Sequence, residues 1–201
     1  MHRDLQISGT LTLGEQESLV MYDDTAEITG EINKIERSTY RNNTHDFTYW
    51  SSPVANPQLS EVYAGVNPNR IYYYDQSQTS TSDSSHPDYW KTWVRASGSM
   101  DAGRGYAAEG VSGETGVHQI EFSGRPNNGE ITVPLNFWND ADMDNDFNMI
   151  GNPYPCAIDI ELFFDENQTL IDPTVYLWTH TTPVSGDTSG DFTPDDYATY
   201  N

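Results

Sequence analysis

Residues 117–122 read Val117-His118-Gln119-Ile120-Glu121-Phe122, a run in which apolar and polar side chains alternate. This two-residue period is typical of a strand that buries one of its faces. Asn128-Gly129 follows, and both residue types tolerate the positive φ of a tight turn. The next run, Glu130-Ile131-Thr132-Val133-Pro134-Leu135, predicts the returning strand. The stretch therefore predicts a β-hairpin, and it indicates the fold class of the whole chain.

Strand patterns of the same kind recur at short intervals, whereas helical periodicity is scarce. The other predicted strands lie at residues 5–13, 18–22, 26–37, 47–50, 70–74, 89–95, 105–108, 147–150 and 174–179. The isoleucines of 26–37 do not alternate strictly, which predicts a bulge or break near Gly30. Residues 157–164 are the best helix candidate. The chain is thus predicted to be all-β, an antiparallel β-sandwich of jelly-roll type with at most one short helix.

Three pairs of segments match in the same order along the chain. They are residues 47–54 with 147–154, 71–74 with 175–178, and 88–93 with 196–201. Three matches in one order indicate an internal duplication. We therefore expect two related halves within one domain. Residues 1–46 would form N-terminal strands, 47–136 the first repeat unit and 147–201 the second.

The second repeat unit is shorter than the first. In the first unit the chain continues through Gly103-Arg104-Gly105-Tyr106 and the predicted hairpin, but the second stops at Asn201 before any counterpart. We therefore expect the natural polypeptide to continue, with this chain as part of a larger one.

Charge and cysteine content exclude several classes of function. The chain carries 31 Asp and Glu against 9 Lys and Arg, a formal net charge of -22. Nucleic acid is therefore not an expected partner, because binding its phosphates requires clustered cations. Cys156 is the only cysteine, so the chain cannot form an internal disulfide or a Cys-rich zinc site. No apolar run approaches the ~20 residues of a membrane-spanning helix, so we expect no membrane insertion.

Several segments resemble those of a known class of proteins. They are Phe47-Thr48-Tyr49-Trp50-Ser51-Ser52-Pro53-Val54, Met100-Asp101-Ala102-Gly103-Arg104-Gly105-Tyr106, Phe122-Ser123-Gly124, Asn148-Met149-Ile150-Gly151-Asn152-Pro153-Tyr154-Pro155 and Ala157-Ile158-Asp159. The chain resembles large secreted proteins of Bacteroidota, which are typically exported by the type IX secretion system. The likeness covers roughly residues 11–201. It implies an adhesin-like, multidomain protein that is displayed at the outer cell surface or released. It supplies no catalytic residues.

An acidic segment is the candidate metal site. Four carboxylates alternate within it: Asp140, Asp142, Asp144 and Asp146. Calcium takes about 6–8 oxygen ligands, and clustered carboxylates repel one another unless a cation neutralises them. The segment is not an EF-hand loop, since Asn145 and Gly151 replace the required Gly and Glu. The alternative is a solvated acidic turn. A second, weaker calcium candidate comprises Asp187, Asp191, Asp195 and Asp196.

Trp50, Tyr154 and Trp178 are weak candidates for ligand binding, because flat aromatic faces stack on sugar rings. Core packing is the competing interpretation of these aromatics. The sequence has no Gly-x-Ser-x-Gly elbow, and its histidines show no close metal-ligand spacing. We therefore expect a protein that is not an enzyme.

Together these features predict a non-catalytic extracellular module of a bacterial surface protein. Its role would be adhesion to a glycan or surface protein, or that of a spacer, with calcium as a stabilising ion. One alternative is a carbohydrate-binding accessory module of a polysaccharide-degrading enzyme. Another is a catalytic domain acting on polysaccharide, because with 31 acids any carboxylate separation can arise after folding.

Overall fold

The computed structural model describes residues 4–41, 45–78, 92–136, 147–179 and 194–201. The all-β prediction is confirmed. The strands are β1 Leu5–Gln6, β2 Thr12–Leu13, β3 Ile28–Thr29, β4 Ile32–Arg41, β5 Phe47–Trp50, β6 Ile71–Tyr74, β7 Trp93–Arg95, β8 Tyr106–Glu109, β9 Gly116–Gly124, β10 Val175–Trp178 and β11 Tyr197–Tyr200. The helices are α1 Leu59–Val62 and α2 Ile160–Asn167, with 3₁₀ turns at Pro68–Arg70 and Pro194–Asp196.

The described strands form four sheets. The largest has the order β5-β8-β6-β7 and is antiparallel throughout. A three-stranded sheet has the order β2-β4-β9, in which β2 runs parallel to β4 and β9 antiparallel. The two-stranded sheets are β1-β3, which is parallel, and β10-β11, which is antiparallel. The jelly-roll arrangement of two sheets stays a prediction.

The predicted irregularity near Gly30 is present. Gly30 has a φ of 85°, and the ladder between β4 and β9 shifts register between Ile32 and Ile35. A Cβ at Gly30 would lie 2.2 Å from the carbonyl oxygen of Ile7. Only glycine fits this position, because it combines a positive φ with a close backbone neighbour.

The predicted hairpin is wrong in its second strand. β9 forms where the alternation placed it, but it pairs with β4, and residues 130–135 contain no strand. Gly129 does turn the chain, with a φ of 76°. Beyond the turn, a Cβ at Gly103 would lie 2.4 Å from Cγ2 of Val133 and 3.5 Å from Cγ2 of Ile131. These apolar side chains therefore pack on the bare backbone of Gly103 instead of pairing with β9.

Two further predicted strands are absent. Residues 18–22 have no strand, and residues 147–150 make one isolated bridge, from Ile150 to Arg104. The predicted strand at 89–95 is shorter, since β7 begins at Trp93 and residues 89–91 lie outside the described part.

The structure has one helix more than predicted. α2 begins later than expected because the carboxylate of Asp159 caps it, accepting from the backbone N–H of Glu161 and Leu162 at 3.0 and 3.2 Å. α1 was not predicted. It is four residues long and has no side-chain cap, but it buries Leu59 and Val62. Tertiary packing, rather than local sequence, therefore explains it.

One hydrophobic core joins the two larger sheets. Ile32 and Ile35 of β4 and Phe122 of β9 are fully buried in the same cluster as Tyr106 and Ala108 of β8. α1 adds its two apolar residues to this cluster. No helix within the described ranges is long and apolar enough to cross a membrane.

Candidate functional site

A surface groove is the candidate binding site. It has a volume of about 610 Å³ and lies between β3 and the segment that follows β9. Its polar lining includes Asp24, Glu27, Arg125 and Asn128, and its apolar lining includes Ile131. This volume lies within the range of about 300–1,000 Å³ that is usual for small-molecule sites.

Backbone hydrogen bonds fix one wall of the groove. Ala55 N donates to Arg125 O at 2.9 Å, and Asn127 N donates to Pro53 O at 3.0 Å. The side-chain amide of Asn127 is buried and donates to Pro153 O at 2.8 Å and to Ser52 O at 3.1 Å. The wall is therefore held rigidly, which lowers the entropy that ligand binding would lose.

The opposite wall is attached through the turn at Asn128. The Asn128 amide donates to Asp23 O at 2.9 Å. A Cβ at Gly129 would lie 2.9 Å from Asp24 O, so the absent side chain allows the turn to approach the N-terminal segment closely. The Asn-Gly pair thus shapes this groove rather than a hairpin.

Tyr154, one of the predicted ligand-binding residues, supports the same turn. Its hydroxyl donates to Gly129 O at 2.7 Å. Burial raises the pKa of this hydroxyl, and the charge of Asp24 raises it further. The Tyr154 hydroxyl therefore stays protonated and positions the groove wall.

The chemistry of the groove suits a neutral, polyhydroxylated or peptide ligand. Carboxylates accept from hydroxyl groups, whereas the Arg125 guanidinium and the Asn128 amide can donate. Because the lining carries both negative and positive side chains, a ligand can pair with its polar groups without carrying a strong charge itself.

Trp178, a second predicted ligand residue, belongs to an aromatic cluster. The cluster comprises Tyr49, Tyr74, Trp93, Trp178 and Tyr197. The Trp178 ring stacks on Tyr49 with centroids 5.2 Å apart and an 11° interplanar angle, and Tyr197 meets it edge-on at 5.0 Å. Its Nε1 donates to Phe47 O at 2.8 Å. Trp178 thus fastens the β10-β11 hairpin to β5.

Trp50, the third predicted residue, packs against the hydrophobic core. Its Nε1 is buried and has no hydrogen-bond partner within the part of the chain that the structure describes. No ring contact between described residues joins Trp50, Tyr154 and Trp178. The three do not form a shared platform in the part of the chain that the structure covers.

The four carboxylates of the first predicted calcium site, and two of the four in the second, lie outside the described residues, whereas Asp195 and Asp196 lie within them. Asp140, Asp142, Asp144 and Asp146 fall within 137–146, and Asp187 and Asp191 fall within 180–193. Asp196 is described and buried, and its carbonyl oxygen accepts from Thr179 N and Oγ1 at 2.8 Å. The described ranges hold no group of three metal-ligating side chains. Calcium binding stays a prediction.

A buried carboxylate network was not foreseen from the sequence. Glu109 Oε1 accepts from Arg70 Nη2 at 2.7 Å and lies 3.0 Å from His45 Nδ1. Burial alone would raise the pKa of Glu109, but the hydrogen bonds from Arg70 and His45 outweigh it and lower the pKa. A carboxylate that stays ionised is a poor general acid, so we interpret this network as structural.

Arg41, at the end of β4, is only 2% exposed, and its guanidinium nitrogens have no hydrogen-bond partner among the described residues. Burial lowers its pKa, and the negative charge of Asp46 opposes that effect. The adjacent cavity of about 20 Å³, lined by Glu114 and His118, has room for about one water molecule. It is too small for an organic ligand.

Comparison with known proteins identifies a family but no function. A family model described as Domain of unknown function (DUF8693) matches residues 3–201. Neither a curated protein nor a solved structure matches the chain.

Proposed function

The chain belongs to the family described as Domain of unknown function (DUF8693), and from its own geometry we propose that it is a non-catalytic extracellular binding module. We propose further that it is part of a larger, type IX-secreted surface protein of Bacteroidota. The resemblance carried by the Gly151-Asn152-Pro153-Tyr154-Pro155 segment supports that placement.

The groove beside Arg125 carries the proposal of a binding role. Its walls are fixed by backbone hydrogen bonds and by the Asn127 amide, so the site exists before a ligand arrives. Its lining combines donors, acceptors and an apolar surface. The ligand class that fits best is a glycan, followed by an extended segment of a surface protein.

The groove also supports the alternative of a carbohydrate-binding accessory module. The two proposals share this site and differ in the parent protein. A catalytic domain downstream would favour the accessory role, whereas tandem β modules would favour adhesion. A spacer role requires no ligand. The catalytic alternative predicts release of reducing ends from polysaccharides by the folded chain.

A glycan array with matched variants tests the proposal. Arg125 is exposed and lines the groove, so Arg125→Ala removes a donor without touching the core. Arg95 on β7 is also exposed, and Arg95→Ala makes the same change of charge outside the groove. We expect Arg125→Ala to weaken glycan binding about tenfold, the value of one charged hydrogen bond, and Arg95→Ala to leave it unchanged.

The absence of any glycan signal from folded protein would remove the sugar-binding role. Equal losses in the two arginine variants would show that the groove is not the site.

A further inference from the structure

Two hairpins in the structure are built in the same way. In the first, Tyr74 pairs with Trp93 and Tyr72 with Arg95. In the second, Trp178 pairs with Tyr197 and Tyr176 with Thr199. The connecting segments, residues 75–92 and 179–196, have equal lengths. The hairpins β6-β7 and β10-β11 therefore share their register, in which Tyr197 corresponds to Trp93. The predicted match of residues 196–201 with 88–93, which aligned Tyr197 with Tyr89, is wrong by four residues.

The segments that precede the hairpins also meet in space. A Cβ at Gly151 would lie 2.2 Å from Cβ of Ser51, the residue at the matching position. The Asn127 amide donates both to Ser52 O and to Pro153 O. Matching positions of the two units are thus in contact.

The two hairpins differ in their outer neighbours. β6 lies between two strands, because β8 pairs with it through Ile71↔Ala108 and Tyr72↔Ala107. β10 has β11 as its one neighbour among the described strands. The edge of β10 opposite β11 corresponds to the edge of β6 that β8 occupies.

The second repeat unit is also more exposed to solvent than the first at matching positions. Tyr176 and Leu177 of β10 are 52% and 57% exposed, whereas the matching Tyr72 and Tyr73 are half-buried. In α2, Leu162 is 60% exposed, whereas α1 buries both of its apolar residues. β10 carries no charge and no proline, the usual features that protect an exposed strand edge.

We infer that this edge of β10 binds an antiparallel strand of the same polypeptide that follows Asn201, as β8 binds β6. The inference rests on one part of the proposed function, that the module belongs to a larger chain. β8 follows β7 after a short connection, so the matching strand would follow β11 at the same distance. All four residues of β8 are buried, and Ala107 and Ala108 at its centre are small. We expect the added strand to carry small residues too.

An extended chain tests this inference. By the register above, Asn201 matches Ser97, so a copy of residues 98–110 appended to Asn201 places a second β8 sequence at the matching distance. The control carries the same extension with Ala107→Pro and Ala108→Pro in the copy, which cannot donate to a ladder. Hydrogen exchange at the β10 amides is the measurement. Exchange at β4 and β6 reports that each protein is folded.

We expect β10 amides to exchange about tenfold more slowly in the extended chain than in its proline control. Equal exchange rates at β10 in the two folded proteins would overturn the inference. If exchange slowed only in a dimer, the added strand would be pairing with β10 of another copy, which would overturn the inference that it binds within its own chain. Size-exclusion chromatography distinguishes the monomer from the dimer. Glycan binding is measured on the unextended chain in a separate experiment. Failure of the proposed binding role of the groove can therefore be distinguished from failure of the strand pairing at β10.

Discussion

At the residue scale, Glu109 shows how one buried carboxylate connects distant parts of the chain. Its partners Arg70 and His45 come from separate segments, and Arg70 also lies over the Phe47 ring at 5.7 Å. The sequence offered no signal for this network, because its members share no spacing or motif. Such contacts arise only when the strands take their places in the sheet.

The lowered pKa of Glu109 predicts a pH dependence of stability. Its contribution is fully present above the unfolded-state pKa, about 4.3, and is lost as pH falls through the lower folded-state value. We expect Glu109→Gln to destabilise the fold by about 1–3 kcal/mol at neutral pH. The variant should also lose part of the acid dependence, which denaturant melts from pH 2 to 7 would measure.

The matched control is Glu121→Gln, since Glu121 forms an ion pair with Lys34 and is half-exposed. We expect Glu121→Gln to change the unfolding free energy by less than about 1 kcal/mol. Equal effects of the two substitutions across the pH range would contradict the structural role of Glu109.

Two glycines allow conformational strain to be separated from crowding. Gly30 and Gly98 have φ values of 85° and 82°, but only Gly30 has a backbone atom close to its absent Cβ. We expect Gly98→Ala to lower the unfolding free energy by about 1 kcal/mol, from backbone strain alone. Gly30→Ala should lower it by about 1–3 kcal/mol more, because the new Cβ would also clash with the backbone of Ile7. Equal losses of unfolding free energy would show that the approach of Ile7 does not matter.

At the element scale, local patterns predicted β5, β6 and β9 well, because alternation or β-branched and aromatic residues mark half-buried strands. Pairing was harder to predict. The Asn128-Gly129 turn is present, yet residues 130–135 pack on Gly103 and β9 pairs with β4. Alternation specifies a buried face but not which strand lies beside it.

Trp178 illustrates the limit of assigning a role to an aromatic side chain from sequence. A tryptophan beside a polar loop fits a sugar platform, but its ring stacks on Tyr49 and its Nε1 binds Phe47 O. The groove, by contrast, is lined largely by residues without a conspicuous motif. Only the Asn128-Gly129 turn could have pointed to it.

The packing of Trp178 predicts that the β10-β11 hairpin depends on it. We expect Trp178→Ala to destabilise the fold by about 2–4 kcal/mol and to speed hydrogen exchange in β10 and β11 first. Trp178→Phe keeps a stacking ring but removes the hydrogen bond to Phe47 O, so it should lower the unfolding free energy by only about 1 kcal/mol. If Trp178→Ala instead abolished ligand binding without loss of stability, the ligand-platform role would be restored.

At the scale of the whole molecule, a net charge of -22 predicts strong dependence on cations. A calcium ion bound at Asp140, Asp142, Asp144 and Asp146 would stabilise the fold by about 2.7 kcal/mol when its free concentration is 100-fold above Kd. We expect a chelator to lower the melting midpoint, and Asp142→Asn with Asp144→Asn to remove most of that effect.

Asp165→Asn with Asp172→Asn removes the same two charges at exposed positions elsewhere and controls for the change in charge. An unchanged midpoint between calcium and chelator would exclude calcium as a structural element.

The most direct test of the account is to map the ligand site by amide chemical shifts, using the best glycan or peptide from the binding screen. We expect the shifts to concentrate at Thr29, Arg125 and Asn128, which line the groove, while Tyr49 and Trp178 in the aromatic cluster stay unperturbed. Shifts confined to the aromatic cluster, or saturation of the ligand without any change at the groove, would contradict it.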